Sequence, residues 1–170
     1  IEEKVEAMRR FRKYNFKKIY LDEKVFEIDG DEVKIGYLNI NGLIDGGHGE
    51  YLDADLNLRN LDLLVLAETK LDDNCKNEQV IKILSNWAMV GRFDSKDGSK
   101  HMGLMLLANR KSSIVENIQS ITDQSFNREN KLQIQGLTVR LVTRGNYGFV
   151  YCRSTPTKKE SESIYEHYEE

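Results

Sequence analysis

Residues 61–73 read LDLLVLAETKLDD. From Leu61 to Ala67 only Asp62 is polar. A short apolar run of this kind, closed by polar residues, reads as a strand covered on both faces, and we expect it over 62–67. Glu68 follows directly. A carboxylate at the carboxyl end of a buried strand is costly to desolvate. The cost falls if the strand end opens onto a crevice in which a cation sits beside the acid. It also falls if Glu68 simply exits into solvent. The residues alone leave both readings open.

Working outward, 42–49 (GLIDGGHG) carries four glycines and reads as a flexible loop, and 50–58 as a short helix. Before it, Asp29-Gly30 lies between two β-rich runs, the pattern of a tight hairpin. Ile1, Val5, Met8 and Phe11 recur at helical spacing, which predicts an amphipathic helix from 2 to about 15. After the central strand, Asp73 or Asn74 can cap a helix bearing Val80, Ile81 and Leu84. WAMVGRF (87–93) and MGLMLLAN (102–109) read as strands, with Trp87 and Met89 in the core and a polar loop, DSKDGSKH, between them. The run 131–143 alternates in two phases that slip at Gly136, where a bulge is expected. RGNYG then turns the chain into FVYCRS, and Thr157 and Glu160 have the spacing of a capping box for a closing helix. Many strands, several joined by hairpins, favour an α/β (α+β) architecture of sheets packed face to face with helices outside.

The bulk properties narrow the function. A chain of 170 residues with 39% apolar and 31% charged residues has globular composition and can bury a sizeable core. No apolar run is long enough for a membrane helix, and no signal-peptide pattern opens the sequence. The two cysteines, Cys75 and Cys152, read as free thiols in a reducing compartment, so an intracellular location, nuclear or cytoplasmic, is expected. A net charge of −3 means that any nucleic-acid site must be a local patch. Glycine-rich nucleotide motifs are absent. Arg92, Asp94, Lys96, Lys100 and Arg110 offer a phosphate track, but their interspersed acids fit a solvated loop better. Cys75 has no partner at zinc spacing.

Polar groups mark three strand ends: LNING (38–42), AETK (67–70) and VYCRS (150–154). A hard cation such as Mg²⁺ suits one or two carboxylates completed by water and substrate phosphate. Asn39 and Asn41 can orient Glu68 or hold a phosphate oxygen, although Asn41-Gly42 also reads as a plain turn.

The order VKIGYLNINGL, LDLLVLAETKLDD, GRFDSKDGSKHMGLMLL, GFVYCRSTP resembles the endonuclease/exonuclease/phosphatase superfamily, with its DNase I-like and apurinic-endonuclease-like members. The nearest likeness is to the endonuclease domains of non-LTR retrotransposons. It runs from about Val33 to Glu170, and LAETKL is its most specific element. The resemblance implies a partial four-layer sandwich, two mixed β-sheets flanked by helices. It implies that Glu68 binds Mg²⁺ (or Mn²⁺), that Asn39 and Tyr151 act in catalysis, and that Asn41 and Arg153 contact substrate. Where the family commonly has aspartate at the position of Asn41, this chain has asparagine. The implied partner is DNA, with RNA the alternative, and a membrane is not expected.

Two later family motifs are missing. There is no GDFN, which supplies an aspartate and asparagine near the leaving group, and no SDH, which supplies the general-base histidine. His48, His101 and His167 read as surface histidines, since none has a paired acid at the family's spacing. The expectation is therefore a helical extension over 1–20 and the N-terminal half of a nuclease-like domain over 21–170. Such a half would have its inner apolar face covered by a second copy or by a completing C-terminal segment. The competing expectation is a relative that keeps the scaffold for binding and has lost hydrolysis.

Overall fold

The computed structural model describes residues 21–28, 31–56, 58–94, 102–127, 133–141 and 146–152. In chain order these form strands β1 (Leu21–Ile28) and β2 (Asp31–Asn39), helix α1 (His48–Ala54), β3 (Leu63–Ala67) and helix α2 (Asn77–Ile83). Strands β4 (Trp87–Phe93), β5 (Leu104–Asn109), β6 (Ile118–Asn127), β7 (Gln133–Leu141) and β8 (Asn146–Cys152) follow. Five strands make one sheet in the order β1-β2-β3-β5-β4, and three make a second in the order β6-β7-β8.

Strand β3 is the centre of the larger sheet, and all five of its residues are buried. It pairs parallel with β2, Asn39 opposite Ala67, and antiparallel with β5, Ala67 opposite Leu104. Period-two alternation divides its side chains between two cores. Leu64 and Leu66 join Tyr51, Leu52, Val80, Leu84 and Trp87 under the two helices. Leu63, Val65 and Ala67 join Leu104, Leu106, Leu137 and Val139 between the sheets. Each fully buried leucine or valine among them contributes about 1.5–3 kcal/mol of transfer free energy. The protein is thus a mixed α+β fold with helices on one face of the five-stranded sheet and a second sheet on the other.

Several expectations change in detail. The second sheet is antiparallel throughout its described strands, not mixed. Part of the inner face is covered by this chain's own second sheet: Leu137 and Val139 of β7 are buried with side chains of β3 and β5, and Ile118 and Ile121 of β6 are partly buried against the same cluster. Gly136 carries no bulge, because β7 keeps its register through Gly136 with both neighbours. The register shifts fall instead between Met89 and Gly91 and between Ile118 and Ser120. Helix α2 starts at Asn77 rather than at Asp73 or Asn74. Asp72 Oδ1 takes the Asn74 N–H in a local turn, and the Gln79 side chain caps the Lys76 N–H at 2.9 Å. The helix expected over 50–58 begins at His48 and ends at Ala54. Trp87 is buried, with Met89 half-buried against the same core. Strand β6 had no sequence signal, since only Ile118, Ile121 and Phe126 interrupt its polar run. The turn at Asp29-Gly30, the extension over 1–20 and the closing helix lie outside the described residues.

No helix among the described residues is long and apolar enough to cross a membrane.

Candidate active site

The parallel pairing of β2 and β3 brings two of the three marked strand ends together. Asn39 closes β2, Glu68 follows the last residue of β3, and the chain beyond each strand is laced to the other. Ile40 N–H donates to the Ala67 carbonyl at 3.0 Å, Gly42 N–H to the Glu68 carbonyl at 2.7 Å, and Leu43 N–H to the Thr69 carbonyl at 3.0 Å. From the other side, Lys70 N–H donates to the Met102 carbonyl at 3.0 Å, ahead of β5. The turn Glu68–Lys70 is therefore a bridge between the ends of β2 and β5.

This bridge is strained. Asn41, Glu68 and Lys70 all hold left-handed backbone conformations, with φ of 49°, 54° and 54°. Asparagine visits this region readily. Glutamate and lysine do not, and each costs about 1–2 kcal/mol there. Among the described residues these are the positive-φ positions outside glycine, and all three fall at one end of one sheet. Strain concentrated in this way persists only where the surrounding structure over-determines it.

The side chains are joined as well. Asn39 Oδ1 accepts the Asn41 N–H at 3.0 Å, and Asn41 Oδ1 accepts from Lys70 Nζ at 2.6 Å. Glu68 is half-buried. His48 is not a surface histidine. It is part-buried at the end of the glycine loop, with Nδ1 2.9 Å from the Gly42 carbonyl oxygen. A carbonyl only accepts, so Nδ1 carries the proton in this contact. Asn39, Asn41 and Glu68 thus lie at the same end of the larger sheet, linked through the backbone of β2 and β3 and the residues that follow them. Lys70 and His48 are the additions, and Lys70 was adjacent in AETK.

The remaining candidates fare differently. Tyr151 lies on β8 opposite Gln135, but its side chain is outside the described residues, as is all of Arg153. Lys96, Lys100, His101 and His167 are outside them too. Arg92 is not available for phosphate. Its five N–H groups donate to Asp94 Oδ1 and Oδ2, the Cys75 and Asp72 carbonyls and Asn77 Oδ1, at 2.7–3.0 Å. Burial works against its charge, but the hydrogen bond and the charge of Asp94 outweigh it and raise the guanidinium pKa. Arg92 therefore pins the segment that follows the Glu68–Lys70 turn. Arg110 Nε donates to the Ser85 carbonyl at 3.0 Å, away from any common track. Cys75 is a free, half-buried thiol.

As a cation site the arrangement is of the sparse kind. No cluster of three or more His, Cys, Asp or Glu side chains at metal-binding distance occurs among the described residues. Asn41 Oδ1 already holds an ammonium, whereas Asn39 Oδ1 accepts the Asn41 N–H and, as an amide oxygen, has a second lone pair. Glu68 with Asn39 fits a hard cation that takes one carboxylate and completes its shell with water and substrate oxygens. It does not fit an all-protein cage.

No protein-family model and no curated protein matches the chain.

Proposed function

We propose that the protein carries the metal-binding half of a Mg²⁺-dependent phosphodiesterase site of the endonuclease/exonuclease/phosphatase kind, acting on DNA. The observation that supports this reading is the strained Glu68–Lys70 bridge, which holds Glu68 at the end of a fully buried strand, its backbone bonded to the segment that carries Asn39 and Asn41. Two packed sheets with helices on the outer face of the larger one are compatible with three layers of a DNase I-like four-layer sandwich. In this reading Glu68 and Asn39 hold Mg²⁺ (or Mn²⁺), which would stabilise charge on a scissile phosphate. Lys70 fixes Asn41 and adds positive charge for the phosphate, and Tyr151 and Arg153 contact the same group. Hydrolysis also needs a proton acceptor. The missing GDFN and SDH residues would come from a completing segment or a second copy, and the work would be intracellular, consistent with a free Cys75.

A second reading is a scaffold that binds nucleic acid or a protein partner without cleaving. The Lys70 bond to Asn41 favours it, because an ammonium stands where the family's aspartate would help a metal.

Mn²⁺ titration by water-proton relaxation, paired with nicking assays on abasic and plain duplex DNA, separates the two. The expected result is Mn²⁺ binding that is lost in Glu68→Ala, with slow or absent nicking by the chain alone. No Mn²⁺ binding by the wild-type chain, or nicking that survives Glu68→Ala, would overturn the first reading.

A further inference from the structure

Thr69 is the middle residue of the strained bridge, and it is buried at 1% exposure. Its hydroxyl oxygen has no hydrogen-bond partner among the described residues, an unusual state for a buried donor and acceptor. The hydroxyl lies against Gly103, the residue before β5, whose φ is +127°. A Cβ added at Gly103 would overlap Thr69 Oγ1 and would meet Thr69 Cβ at 3.3 Å and the Lys70 nitrogen at 3.4 Å. Glycine is needed at this position twice over, for its backbone angle and for the space. The Gly103 carbonyl accepts the Thr69 N–H at 3.4 Å, so the two residues interlock through backbone and side chain.

The consequence falls on the neighbours of Thr69. Glu68 and Lys70 flank it, both at φ 54°. Thr69 is seated on Gly103, the Glu68 and Thr69 carbonyls accept from Gly42 and Leu43, and the Lys70 N–H donates to Met102, so the backbone of the turn is tied on both sides of Thr69. We propose that Thr69 and Gly103 are positioning residues, which lock the left-handed Glu68–Lys70 turn and so aim the Glu68 carboxylate and the Lys70 ammonium. As a statement about metal binding this rests on the function proposed above; as a statement about the turn it does not.

The test uses the full chain with Thr69→Ala, which removes the contact, and Thr69→Ser, which restores the hydroxyl. Two readouts are taken, Mn²⁺ affinity and amide hydrogen exchange at Gly42, Leu43 and Lys70, alongside a thermal melt. Thr69→Ala should fold, lose protection at those three amides selectively, and weaken Mn²⁺ binding by about 10-fold or more, as removal of a supporting shell residue does. Thr69→Ser should keep both near wild type. Gly103→Ala should repeat the Thr69→Ala pattern wherever it folds. Unchanged protection at the three amides in Thr69→Ala would overturn the proposal, and so would a loss spread evenly over the whole chain. If the wild type binds no Mn²⁺, the metal-binding reading falls, while the exchange pattern still decides whether the lock exists.

Discussion

Asp62 and Glu68 stand just outside opposite ends of β3, and the protein treats the two acids differently. Asp62 is absorbed into the scaffold. Its Oδ2 accepts the Lys34 N–H at 2.8 Å, its Oδ1 accepts the Ser112 hydroxyl at 2.7 Å, and its backbone pairs with Lys34 and Asn109. Asn109 closes the same end by donating its amide to the Arg59 and Leu61 carbonyls. No described residue there has a left-handed angle. At the Glu68 end the Glu68 and Thr69 carbonyls accept from Gly42 and Leu43, Asn41 and Lys70 bond to asparagine side chains, and left-handed angles gather at Asn41, Glu68 and Lys70. The lesson is that an acid at a strand end is not in itself a site. The scaffold end minimises its free energy locally, while the other end holds an unfavourable geometry by means of its neighbours.

Three substitutions test that contrast, the largest expected effect first. Asp62→Ala leaves the Lys34 N–H and the Ser112 hydroxyl without their acceptor, and should lower unfolding free energy by about 3 kcal/mol without altering Mn²⁺ binding. Urea denaturation measures it, and a loss near zero would erase the distinction between the two ends. Arg92→Lys keeps the charge but cannot reproduce five directed N–H bonds, so it should cost about 2 kcal/mol by the same measurement. A neutral result would mean that the segment following the turn is held by other contacts. Glu68→Gly relieves a left-handed glutamate, and after glycine's own entropy cost it should stabilise the chain by about 1 kcal/mol while abolishing Mn²⁺ binding. A stability gain coupled to a binding loss is the signature of a residue held for function. A loss of both would place Glu68 with Asp62.

The sequence by itself determined the central strand, the hairpin-rich α+β character and the acid that follows β3, because apolar periodicity and turn residues act over a few positions. It also brought Asn39 and Glu68 into one hypothesis. Strand β6 escaped it, since a strand with mostly polar residues acquires its identity from pairing with β7. Arg92 reads as part of a solvated loop, or less well of a phosphate track, until the carbonyls of Asp72 and Cys75 are brought to it from 20 and 17 residues away. The left-handed angles at Glu68 and Lys70 were illegible for the same reason. Local preference argues against them, and only the packing of Thr69 on Gly103, together with hydrogen bonds from the ends of two other strands, makes them the lowest-energy choice.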